Sequence, residues 1–235
     1  MGRTNALSLA VAALLLAPTV ASAQGDEKSR TVTAGGISVA GWQGKIDPKE
    51  VTAGMKLEDA KLAMSGKDMV VTTGPAVTYW NPANKATGNY TVKATFKEPA
   101  YMNVNNHPHP YGIVIGGNDM GTDNQTFLYC AAYGNGTFIV RGFGPAPFQL
   151  NGGRGAADPA VNKAAAKGEP VQQEIAVTVT PDKVECAING KTVGSYDKSM
   201  VVMNGMLKST DGVYGIRFAH NTDGIVSGLT MTKNK

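Results

Sequence analysis

Apolar residues recur at every second position in short runs along most of the chain, and glycine or Asx-Gly pairs punctuate the runs. Between residues 88 and 98, Tyr90, Val92, Ala94 and Phe96 take one parity, and Thr91, Lys93 and Thr95 take the other. A strand turns successive side chains to opposite faces, so this segment predicts one core face and one wet face. Val171, Gln173, Ile175, Val177 and Val179 repeat the pattern, as do Tyr214, Ile216 and Phe218 against Gly215 and Arg217. A last stripe over 224–232 carries Ile225 and Leu229. Further strand-length runs lie at 37–40, 61–64, 69–73, 76–80, 111–116, 126–133, 137–143, 183–188 and 192–196. Asn135-Gly136 and Asn189-Gly190 predict two-residue hairpin turns, because type I′ needs positive φ at both positions. Pro181-Asp182, Asp211-Gly212 and Asp223-Gly224 predict further turns. About a dozen strands without a long amphipathic helix predict an all-β fold of two packed antiparallel sheets.

Two stretches break the alternation. Residues 47–57 predict a helical turn, with Pro48 at its first position after Asp47. Residues 144–170 are rich in Gly, Ala and Pro; 157–167 has helical character, and a loop this long is either functional or disordered. At the N-terminus, Arg3, the apolar run 6–18 and Ala21-Ser22-Ala23 read as an export leader cut before Gln24. That run falls short of the roughly 20 residues that span a bilayer. The expectation is a signal peptide at 1–23 and one jelly-roll domain at 24–235, exported to the periplasm or secreted.

Charge narrows the partners. The 22 basic and 18 acidic side chains give +4, and loss of Arg3 (4 − 1) leaves +3. Lysines are scattered rather than clustered, which argues against a nucleic-acid or anionic-membrane surface and suits a glycan or other neutral small ligand. The two cysteines, Cys130 and Cys186, permit one disulfide in an exported chain, with two buried thiols as the alternative. No CxxC spacing indicates a structural zinc site.

The strands at 112–117, 127–129 and 136–141 resemble consecutive central strands of concanavalin A-like jelly rolls. Val184 to Lys191 is similar to the superfamily's hairpin ending in an Asn-Gly turn, and Gly212-Val213-Tyr214-Gly215-Ile216-Arg217-Phe218 to its closing strand. The match runs from about Trp80 to the C-terminus, nearest to laminin-G-like and 3-keto-disaccharide hydrolase-like domains. The resemblance implies a two-sheet concanavalin A-like sandwich, which hosts lectins, glycosidases and adhesive modules.

Several residue groups are candidates for chemistry. The laminarinase-type motif E-x-D-x-[x]-E, which sets two carboxylates about 5–5.5 Å apart, is absent; Glu174 and Glu185 stand alone. His107 and His109, two apart in an extended Pro-rich segment, share a side and are candidate ligands of a divalent metal such as Ca or Zn. Asp119 is the candidate acidic partner, with Asp123 and His220 as alternatives. The oxygen-rich segment 117–125 could also serve calcium, although it lacks EF-hand order. Trp80, Tyr111 and Tyr129 are candidate sugar-stacking rings, and Arg141 and Arg217 candidate hydroxyl or carboxylate binders. These residues favour a carbohydrate-associated binding protein. The alternatives are a metal-assisted glycoside-cleaving enzyme and a structural or adhesive envelope protein.

Overall fold

The computed structural model describes residues 1–2, 27–153 and 155–235. The expected leader lies mostly outside them. In chain order the strands are β1 (Gly36–Ile37), β2 (Gln43–Ile46), β3 (Ala60–Ser65), β4 (Asp68–Thr73), β5 (Val77–Ala86), β6 (Tyr90–Glu98), β7 (Tyr111–Asn118) and β8 (Thr126–Tyr133). They continue as β9 (Thr137–Phe143), β10 (Pro147–Gln149), β11 (Ala156–Ala157), β12 (Val171–Val179), β13 (Lys183–Ile188), β14 (Lys191–Asp197), β15 (Gly212–Phe218) and β16 (Asp223–Lys233). Among the described residues two short α-helices, α1 (Pro48–Thr52) and α2 (Lys198–Val201), and a 3-10 turn at Leu57–Asp59 interrupt them. No helix among the described residues is long and apolar enough to cross a membrane.

The first sheet runs β1-β3-β4-β16-β6-β12-β13-β14, and the second β10-β9-β8-β7-β15-β5-β2, with β11 beside β9. Apart from the parallel β1–β3 pair, neighbouring strands are antiparallel. The core forms between the sheets because alternate residues of both turn inward. Tyr90, Val92, Phe96, Ile175 and Val177 come from the first, and Tyr79, Ile113, Ile115, Leu128 and Ile216 from the second. Cys130 on β8 and Cys186 on β13 face each other in that core and are joined in a disulfide, with Cα atoms 5.9 Å apart. The bond therefore ties one sheet to the other.

The hairpins separate by backbone geometry. Asn189 and Gly190 both have positive φ, 50° and 77°, as a type I′ turn requires. At the other predicted turn only Gly136 is left-handed, at 87°. There the Asn135 carboxamide accepts the Thr137 backbone N–H instead, making a wider loop.

The predicted turn at 47–57 becomes α1, but residues 157–167 form no helix. Their backbone groups bond outward: Asp158 N–H to Gly136, Ala164 N–H to Gly134, and Gly168 N–H to Tyr101. Val161 enters the core, and the Gln173 side chain holds Asn162 through its backbone N–H and carbonyl. The long connection is thus docked on the sandwich rather than loose.

Candidate functional site

Two regions gather the chemistry-bearing residues, and the strand pairing shows why. On the side of the second sheet turned away from the core, one lateral row crosses seven strands in register. It reads Gln43, Trp80, Gly215, Val114, Tyr129, Arg141 and Gln149. The next row is Lys45, Thr78, Arg217, Gly112, Ala131 and Ile139. Trp80, Tyr129, Arg141 and Arg217, four of the five ligand candidates, therefore share one face.

Tyr111 differs. The odd parity of β7 puts it on the inward face, fully buried and stacked on Phe96 and Phe218 with centroids 5.9 and 5.8 Å away, so no ligand on the outer face can reach it.

The outer face is closed at its floor. Trp80 is 3 % exposed and Tyr129 5 %, and Tyr129 belongs to a small apolar cluster with Val114, Phe127, Ala131 and Ile139. The loop after β7 lies over Trp80, where a Cβ on Gly121 would sit 3.5 Å from the indole. Lys45 fastens that loop, donating to Thr122 O at 2.6 Å and Asp123 Oδ1 at 3.1 Å.

Arg217 is held by the protein itself. Its guanidinium donates to both Asp47 oxygens at 2.8 and 2.6 Å and to Thr78 Oγ1 at 2.8 Å. Tyr129 and Phe143 flank it, each ring 5.0 Å from its centre. Burial alone would weaken its proton affinity, but Asp47 and then Tyr129 outweigh burial and raise it, so the charge persists. Its role here is to anchor Asp47, which sequence spacing could not reveal. The groups of the first row that reach solvent are exposed Gln43 and half-buried Arg141 and Gln149. Beside Arg141, burial pushes the Tyr133 hydroxyl up to about 12; Tyr129 adds to this and Arg141 opposes it.

The second region is one end of the sandwich, where β4, β6 and β15 finish and β5, β7 and β16 begin. Its interior is polar: Glu50, Thr73, Glu98, Asn105, His109, His220, Asn221 and Thr222 are all buried. His107 and His109 come from the Pro-rich entry to β7, and His220 from the β15–β16 turn. Offered ligand atoms of all three imidazoles lie within 4.8 Å of one another. His109 stacks on His220 with centroids 4.1 Å apart and meets His107 edge-on at 4.4 Å. His109 Nδ1 lies 2.5 Å from the His220 carbonyl, and its Nε2 lies 2.8 Å from His107 Nε2. Burial, then neighbouring His220, pulls the His109 imidazole down to about 3, so it is neutral near pH 7.

Asp119 does not join them. It pairs with Lys208 beyond the far end of β7, a strand of eight residues, and Asp123 pairs with Lys45 there too. The third imidazole is His220 instead; the chain's only other histidine was the available signal. The segment 117–125 is an Asx-rich loop held by Thr122 and Gln125 side chains, which donate to or accept from its own backbone.

Glu98 is the residue that motif reading passed over. It continues the inward parity of β6, so a carboxylate points into the core end. Oε1 accepts the Met102 N–H at 3.1 Å, and Oε2 has no partner among the described residues. Burial pushes its carboxyl up to about 7, with Met102 opposing and Asp223 adding.

Solved structures share this architecture. A Bacillus subtilis protein of unknown function with a galectin-like fold is 12 % identical, with a TM-score of 0.55 over 82 % of this chain and 89 % of that one. The endo-β-1,3-glucanase of Pyrococcus furiosus is 13 % identical, with a TM-score of 0.51 over 82 % and 88 %. The fold is a concanavalin A-like, galectin-like sandwich. At these identities the likeness speaks for the fold alone. No family model and no curated protein matches the sequence.

Proposed function

We propose that the protein is an exported carbohydrate-binding module that holds a neutral glycan on the outer face of its second sheet. The observation that carries this reading is the lateral row from Gln43 to Gln149, which sets the Gln43 amide, the Arg141 guanidinium and the Gln149 amide oxygen around a floor of Trp80 and Tyr129, the Gln149 nitrogen being held by the Asn151 and Gly153 carbonyls. Sugar hydroxyls both donate and accept, and planar amide and guanidinium groups answer them with directional bonds. Because Trp80 and Tyr129 are covered, the polar rim rather than ring stacking supplies the recognition. The mild net charge supports a neutral partner. The fold lends support as well, since one of its members is an endo-β-1,3-glucanase. Glucan cleavage by paired carboxylates is not part of the reading: Glu174 and Glu185 stand on the first sheet, and Asp47 is committed to Arg217. A glycan array probed with wild type and Arg141→Ala tests the proposal. Arg141→Ala should weaken the strongest signal at least about tenfold, the scale of one hydrogen bond to a charged group. An array with no neutral glycan bound, or binding unchanged in Arg141→Ala, would overturn it.

A further inference from the structure

The three histidines at the end of the sandwich belong to a different site from the glycan face. Among the described residues His109 Nδ1 meets the His220 carbonyl, an acceptor, so it carries the proton and leaves Nε2 as a bare lone pair. His107 Nδ1 lies 2.7 Å from Asn106 Oδ1, again an acceptor, so His107 also presents a bare Nε2. These two lone pairs face each other at 2.8 Å, an arrangement that a cation between them resolves. Each ring is oriented through its other nitrogen, as the outer partners of metal-ligating histidines commonly arrange.

The backbone around the rings is fixed independently of any ion. Pro108 and Pro110 restrict φ on either side of His109. Asn105 Nδ2 donates to Asn221 O at 2.8 Å, pinning the turn that carries His220.

We propose that His107, His109 and His220 form a mononuclear site for a divalent transition-metal ion of the zinc class, with an open coordination position on the His107 side. Imidazole nitrogens suit zinc, copper and nickel, whereas calcium and magnesium take oxygen ligands. Zinc–nitrogen bonds of about 2.0–2.1 Å in a tetrahedron set neighbouring nitrogens about 3.3 Å apart, so the His107–His109 pair needs to open by only about half an ångström. Three protein nitrogens leave a fourth position for water or a ligand donor, and half-buried His107 gives the route to it.

The test is zinc titration by calorimetry into untagged, chelator-stripped protein, with metal content read by mass spectrometry. The expected result is one zinc per chain, no calcium binding at the same concentrations, and affinity at least about 100-fold lower in His107→Ala. His107 is the ligand to change because it is the least buried; His107→Gln serves if the alanine variant folds poorly. Zinc at about 100 times the wild-type Kd should raise the wild-type Tm by about 5–10 °C and the variant's by no more than about 2 °C, while the metal-free melts coincide. Absence of stoichiometric zinc would overturn the proposal, and would mean that the Asn106 amide is turned over and a plain His107–His109 hydrogen bond fills the gap. Zinc binding of equal strength in both His107 variants would overturn it too, by placing the ion elsewhere.

Discussion

Replacing Glu98 with glutamine should make the protein more stable, by an amount that grows as pH rises from about 4.5 to about 7. Glu98 is 5 % exposed, and of its two oxygens only Oε1 is hydrogen-bonded among the described residues. Its folded carboxyl titrates at about 7, against 4.5 for the free group. A raised folded value means that the native state holds the proton more tightly than the unfolded state. Stability from this group is therefore complete below about pH 4.5 and is lost as pH rises to about 7. The gap between the two values corresponds to about 3 kcal/mol, at roughly 1.4 kcal/mol per tenfold change. Glutamine keeps an acceptor for Met102 N–H and never ionises. Glu98→Gln should thus match wild type near pH 4 and exceed it by about 3 kcal/mol at pH 8, or about 6–12 °C in Tm. His109 titrates at about 3 in both proteins and cancels from the difference. Thermal or urea unfolding of the pair at both pH values reads the effect. An offset that is equal at pH 4 and pH 8 would refute the claim that a buried carboxylate is forced to ionise in the native state.

Three further outcomes follow from the packing. Replacing both Cys130 and Cys186 with alanine should cost about 4 kcal/mol, since the bond closes a loop spanning 56 positions; denaturant unfolding checks it. Asp47→Ala should cost about 3–5 kcal/mol, because it strands the Arg217 charge among Phe127, Tyr129 and Phe143; a smaller loss in Asp47→Ala combined with Arg217→Met would confirm the cause. Amide hydrogen exchange should find Asp158, Ala164 and Gly168 protected, as their N–H groups bond to Gly136, Gly134 and Tyr101; rapid exchange there would contradict the docked connection.

The strands were legible wherever alternation was strong. Residues 126–133, 137–143 and 183–188 match β8, β9 and β13 end to end; 183–188 alternates, whereas 126–133 is a continuous apolar run buried on both faces and bounded by turn residues. Gln43-Gly44-Lys45-Ile46 was not legible: one apolar residue in four shows no period, and pairing with β5 makes it a strand. The site was less legible than the fold. Local spacing put His107 and His109 together, but His220 lies 111 positions after His109, and only the β15–β16 turn returns it. Asp119 sits near His109 in sequence, yet β7 carries it to the far end of the sandwich. Arg217 showed as an arginine on an outward parity, while Asp47, 170 positions away, is invisible until β2 pairs with β5.

The glycan-binding claim meets its most direct test in backbone and side-chain NMR shifts of the protein titrated with the best glycan from the array. Shifts concentrated on Gln43, Tyr133, Arg141 and Gln149, with His107, His109 and His220 still, are the predicted result. Shifts confined to the histidine end, or to the outer face of the first sheet around Glu174 and Glu185, would contradict it.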